Sequence, residues 1–129
     1  MLLLDTHALI WLATDLNQLP EAAKTALRAH ATSLYISAIS ALEVSLLTQC
    51  GKLDWGKDPH EMYERALEHH HVTEIPVIGE IAWGFGRLPV LHRDPFDRII
   101  IATAREHGMT ILTKDRMIPT YPGVKVVWE

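Results

Sequence analysis

Four acids stand where the chain carries little other charge. Asp5 is the only Asp, Glu, Lys or Arg in residues 1–14, and it directly follows the apolar run Leu2–Leu4. Glu43 is the only such residue between 29 and 51, and its helical neighbours at i−4, i+3 and i+4 are Ile39, Leu46 and Leu47. That places it on an apolar stripe rather than a solvated face. A buried, unpartnered carboxylate is costly, so it must be protonated, paired or bound to a cation. Asp97 lies in the segment HRDPFDRIIIATA, with Asp94 three residues before it, and Asp115 follows the run TILT. Gathered into one crevice, four carboxylates would repel one another unless divalent cations were held between them. An all-oxygen donor set selects hard ions, Mg²⁺ or Mn²⁺ as its substitute. Such a site suits phosphodiester cleavage.

Each acid also has an ordinary structural reading. Asp5 can cap a helix starting near His7. Glu43 can sit at the rim of its stripe or pair with an arginine. Asp94 is a good N-cap, Pro95 fits the first helical position, and Asp97 falls where a capping box wants an acid. Asp115 can be a turn residue. The separations of 38, 54 and 18 residues mean that only a fold can unite them.

The elements that would position these acids follow from the hydrophobic pattern. Leu2–Leu4, Leu34–Ser37, Thr73–Val77, Thr110–Thr113 and Val124–Val127 read as strands. His7–Thr14, Pro20–His30, Ala38–Cys50, Pro59–His70, Ile78–Phe85 and Pro95–His107 read as helices, with Gly84 and Gly86 breaking the fifth and Gly108 ending the last. The alternation predicts an α/β fold around a mostly parallel sheet of about five strands. In such sheets, ligands bind beyond the carboxyl ends of the strands, where Asp5 and Asp115 would lie. At 129 residues, 48% hydrophobic and 22% charged, the chain is expected to form one domain, residues 1–129. No run is long enough for a membrane span, and MLLLD lacks the basic start of a signal peptide. The single cysteine, Cys50, excludes an internal disulfide and a Cys-based zinc site, and favours a reducing, cytoplasmic location. A net charge of −4 argues against binding duplex nucleic acid through a basic face alone.

In order and spacing, LLLDTHALIWL, SAISALE, HRDPFDRIIIATA and LTKD resemble the PIN-domain nucleases, in particular the VapC-type toxins of prokaryotic toxin–antitoxin pairs. The resemblance spans essentially the whole chain. It implies a three-layer α/β/α fold and a divalent-metal site of Asp5, Glu43, Asp97 and Asp115. Asp94, Thr6, Ser37 and Thr113 match as outer-shell supports. It further implies a Mg²⁺-dependent endoribonuclease acting on single-stranded or looped RNA. A small antitoxin is the implied protein partner, and homodimers are common in the family. One departure is Leu42, where this subgroup often has Trp before the glutamate.

Arg93, Arg98, Lys114 and Arg116 lie within two positions of the acids and are candidates to contact RNA phosphates. Trp11, Leu12, Leu46 and Leu47 are candidates to line a groove for an amphipathic antitoxin helix. His7 and His92 flank the acids. The run His69–His71 is better explained by the favourable C-terminal end of a helix than by metal binding. Two rival readings remain: a receiver-like signalling domain, for which only Lys114 fits the required pattern, and a catalytically silent antitoxin-binding module.

Overall fold

In the computed structural model, which describes residues 1–129, the apolar runs become neighbouring strands. Strands β1 (Leu2–Leu4), β2 (Leu34–Ser37), β3 (Val72–Ile75), β4 (Thr110–Leu112) and β5 (Lys125–Val127) form one sheet in the order β3-β2-β1-β4-β5. Every pairing is parallel, with Leu3 in register with Tyr35 on one side and Ile111 on the other. Parallel neighbours need crossovers, and helices supply them. They are α1 (Thr6–Thr14), α2 (Glu21–Ala29), α3 (Ile39–Gln49), α4 (Pro59–His70), α5 (Gly79–Arg87) and α6 (Pro95–His107).

Side-chain alternation along the strands divides the core into two layers. Leu2, Leu4, Leu34, Ile36, Val72 and Leu112 pack with residues of α1 to α4, among them Leu9, Leu27, Val44 and Leu67. Leu3, Ile75 and Ile111 face the other way, onto Ile81 of α5 and Ile100 and Ile101 of α6. All three leucines of β1 are fully buried, each worth roughly 1.5–3 kcal/mol of burial. The result is the three-layer α/β/α arrangement. From β1 the chain steps outward to β2 and β3, then returns to β4 on the opposite side of β1. The resulting switch point opens a crevice at the carboxyl ends of β1 and β4.

Some expected boundaries differ. The fifth helix does not break at Gly84 and Gly86 but runs on to Arg87. A Cβ at Gly84 would lie 3.4 Å from Ala102 Cβ, so its lack of a side chain lets α5 approach α6. Tertiary packing thus overrides the low helix propensity of glycine. β3 runs from Val72 to Ile75 rather than from Thr73 to Val77, ending before Pro76, which has no N–H to donate. Two short 3₁₀ turns, Leu16–Gln18 and Ile118–Thr120, were not anticipated by the pattern. No helix is long and apolar enough to cross a membrane.

Candidate active site

The crevice between β1 and β4 gathers all four acids. Asp5 ends β1 and serves as the N-cap of α1, so the capping reading holds. It uses one oxygen for that purpose: Oδ1 accepts the Ala8 N–H at 2.8 Å. Oδ2 accepts the hydroxyl of Thr113, which in turn accepts the Asp115 N–H at 3.0 Å. Thr113 thereby ties the ends of β1 and β4 together. Asp5 is only 7% exposed. Burial pushes its carboxyl up to about 6, against the lowering effect of the Thr113 and Ala8 hydrogen bonds.

Glu43 reaches the same crevice from the second turn of α3. It is 8% exposed, and its Oε1 is buried with no hydrogen-bond partner. Burial raises its carboxyl above the usual range and the charge of Asp94 adds to this, while the Thr6 hydroxyl works the other way. Thr6 itself donates to Ser40 at 2.8 Å, joining α1 to α3. Ser37 Oγ accepts the Ile39 N–H at 3.1 Å where α3 begins. These two hydroxyls hold the helix that carries Glu43.

Asp94 caps α6, its Oδ1 accepting the N–H of Phe96 at 2.8 Å and of Asp97 at 3.4 Å. The expected capping box is only half made, because the Asp94 N–H donates to His92 Nδ1 at 3.2 Å rather than to Asp97. Asp97 is left free of capping and turned inward, its side chain 14% exposed. Burial first, then the charges of Asp94, Asp5, Asp115 and Glu43, push it up to about 8. Asp115 goes the other way. Burial would raise it, but the Met117 N–H, at 2.7 Å from Oδ1, and His92 together outweigh burial and hold it below the usual range.

His92 is more central than its sequence position suggested. Its Nε2 lies 2.8 Å from Asp115 Oδ2 and 3.0 Å from Asp97 Oδ2. One donor atom from each of His92, Asp97 and Asp115 falls within 4.8 Å of the others. By contrast, no lysine or arginine forms an ion pair with any of the acids in this crevice.

Of the four basic candidates, Arg93, Lys114 and Arg116 are exposed, and Lys114 Nζ lies 5.8 Å from the Trp11 ring. Arg98 does not join them. It turns inward and donates to the carbonyls of Phe85 and Leu88 at 3.1 and 3.4 Å, with its guanidinium 4.1 Å from the Phe85 ring. Those carbonyls close the end of α5, where Phe85 O also accepts the Leu88 N–H at 3.3 Å, and Arg98 thereby fastens α5 to α6. Of the four candidate groove residues, Leu46 is exposed and Trp11, Leu12 and Leu47 are half-buried. Leu46 and Leu47 line an open groove with Cys50, Pro95 and Phe96, directly beside Glu43 and Asp94.

The donor set fits a hard divalent ion. Its carboxylates converge without lysine or arginine partners, one buried oxygen of Glu43 is orphaned, and burial together with the neighbouring acids pushes Asp97 up.

The sequence profile of the PIN domain family matches residues 2–124. The chain belongs to the PIN domain family, in its VapC-type group. It is 32% identical over 129 residues to Ribonuclease VapC22 of Mycobacterium tuberculosis (strain ATCC 25618 / H37Rv), covering 98% of this chain and 97% of that protein. Among solved structures, VapBC2 of Rickettsia felis bound to a promoter DNA fragment is similar, with a TM-score of 0.73 at 15% identity over 99% of this chain and 98% of that one. A toxin–antitoxin complex of Klebsiella pneumoniae has a TM-score of 0.63 at 23% identity, covering 96% of this chain and 95% of that one. These likenesses show the same fold, and family membership sets aside the receiver-like alternative.

Proposed function

We propose that this chain is a Mg²⁺-dependent endoribonuclease that cleaves single-stranded or looped RNA and acts as the toxin of a toxin–antitoxin pair. The observation that carries the reading is the convergence of Asp5, Glu43, Asp97 and Asp115 in one crevice with no lysine or arginine pairing any of them. These four acids would hold the ion, with Mn²⁺ as a substitute for Mg²⁺. When bound, the ion supplies an activated water and charge neutralisation at the scissile phosphate. The protein's own groups do the positioning. Thr113 and the Ala8 N–H aim the two oxygens of Asp5. Asp94 fixes the first turn of α6 and so the direction of Asp97. Thr6 and Ser37 steady α3 beneath Glu43. Arg93, Lys114 and Arg116, exposed near the acids, draw the polyanionic substrate toward them.

An antitoxin partner is supported by the similarity to a solved toxin–antitoxin complex and by the groove of Leu46, Leu47 and Phe96 beside the acids. A segment seated there would cover Glu43 and Asp94. The exposed apolar residues Trp83, Val90 and Leu91 support self-association as a homodimer. The chain's single, exposed cysteine is consistent with a cytoplasmic protein.

The test is cleavage of a labelled RNA carrying single-stranded and hairpin regions. Cleavage should require Mg²⁺ or Mn²⁺, stop with EDTA, and disappear in Asp5→Asn and Asp97→Asn proteins that remain folded. Cleavage that survives both substitutions would overturn the reading. A folded wild type that binds antitoxin but never cleaves RNA would favour the silent module.

A further inference from the structure

We propose that His92 is a positioning residue that clamps Asp97 and Asp115 through its Nε2–H and yields its place to the cation rather than binding it. The inference rests on the reading that these acids hold a divalent ion.

The backbone first fixes where the ring stands. The N–H groups of Leu91 and His92 both donate to the Tyr121 hydroxyl, at 3.3 and 2.9 Å. Tyr121 is 2% exposed, so a buried phenol pins the main chain at this point. The imidazole is itself largely buried, its side chain 16% exposed. Rotation out to solvent would give up these surroundings.

The hydrogen bonds next fix which nitrogen carries the proton. Nδ1 accepts the Asp94 N–H at 3.2 Å. A hydrogen on Nδ1 would face that N–H directly, donor against donor. The ring hydrogen therefore sits on Nε2, where it meets Asp115 Oδ2 at 2.8 Å and Asp97 Oδ2 at 3.0 Å. A nitrogen bearing hydrogen has no lone pair for a metal ion. The same Asp94 that caps α6 thus keeps His92 from acting as a ligand.

Asp97 and Asp115 each turn one Oδ2 toward the same point, and a hydrogen donor there serves both. The Nε2–H is that donor, sharing one hydrogen between the pair. The same two oxygens cannot serve both the N–H and a cation. His92 consequently stabilises the ion-free arrangement and competes with ion binding. Its removal should loosen the first and favour the second.

The experiment uses the full chain as wild type, His92→Ala and His92→Phe. Phe keeps the ring volume but removes both the N–H and the lone pair, so it serves if Ala does not fold. Mn²⁺ affinity is read from the electron paramagnetic resonance signal of the free ion. Thermal unfolding is followed in EDTA and in excess Mn²⁺. Both variants should melt below wild type in EDTA. Both should bind Mn²⁺ about tenfold more tightly, since one charge-assisted hydrogen bond no longer has to be given up. Their Mn²⁺-induced rise in melting temperature should be correspondingly larger. Weaker or unchanged Mn²⁺ affinity in a folded variant would overturn the proposal, weaker affinity marking the imidazole as a ligand. Asp97→Asn separates the two layers of the argument. If wild type binds Mn²⁺ no better than Asp97→Asn does, the metal site itself falls and His92's role with it. If wild type binds through Asp97 but His92→Phe does not bind more tightly, only the His92 proposal falls.

Discussion

Asp97→Asn should stabilise the fold while it abolishes cleavage, and the size of the effect follows from the crevice. The Asp97 carboxyl is pushed from 3.8 up to about 8, first by burial and then by four neighbouring acids. At about 1.36 kcal/mol per unit, the fold disfavours its ionised form by on the order of 5 kcal/mol. The sign is opposite to that of a salt-bridged acid. Because the folded value is raised, stability is greatest below about pH 4 and is lost as pH climbs toward 8. Asparagine has nearly the same shape and cannot ionise, so it escapes this loss and still accepts a hydrogen bond from His92. If side-chain adjustment relieves about half the repulsion, ~2 kcal/mol remains at pH 8. For 129 residues that corresponds to about 7 °C in melting temperature. Circular dichroism melts in EDTA from pH 3.5 to 8.5 provide the assay. The variant's advantage should grow with pH and nearly vanish below about pH 4. Saturating Mn²⁺ should raise the wild type and narrow the gap. A variant that melts lower at pH 8, or a gap independent of pH, would refute the electrostatic reasoning.

Other substitutions probe the supports of the site. Asp94→Ala removes the cap of α6 and should cost about 1 kcal/mol, read from the urea midpoint, with reduced cleavage as the first turn carrying Asp97 frays. Arg98→Ala takes from the Leu88 carbonyl its donor and from the Phe85 carbonyl one of two, and should cost about 1–3 kcal/mol. Its salt dependence of RNA binding should match wild type; a flattened slope would place Arg98 on the substrate after all. Replacing Lys114 and Arg116 together by Ala should reduce the log–log salt slope of single-stranded RNA binding by about 0.7 for each phosphate that is no longer neutralised. A slope equal to wild type would remove both residues from the substrate path.

Much of this arrangement is legible in the residues because local and global preferences agree. Leu2–Leu4, Leu34–Ser37 and Thr110–Leu112 are short apolar runs followed by polar or acidic residues, and they become the three adjacent strands whose ends hold the site. Asp94, Pro95 and Gly108 mark the ends of α6 through local chemistry alone. Glu43 is conspicuous because its neighbours are apolar. What escaped reading depends on contacts between distant segments. The continuation of α5 through Gly84 and Gly86 is decided by how closely α6 approaches. Arg98 looks like its exposed neighbours in sequence, yet the carbonyls that capture it belong to another helix and the turn after it. His92 lies in an irregular stretch, and its direction is set by Tyr121 and Asp115, 29 and 23 residues away. No local periodicity carries that information.

The hydrogen bond from Thr113 to Asp5 spans 108 positions of the chain. It has a consequence during synthesis. β1 leaves the ribosome first, but its partner β4 and the acid beyond it follow only after residue 110. A nascent polypeptide stopping short of residue 115 therefore carries Asp5, Glu43 and Asp97 without a closed pocket. The order of the strands delays assembly of the acid cluster until late in translation.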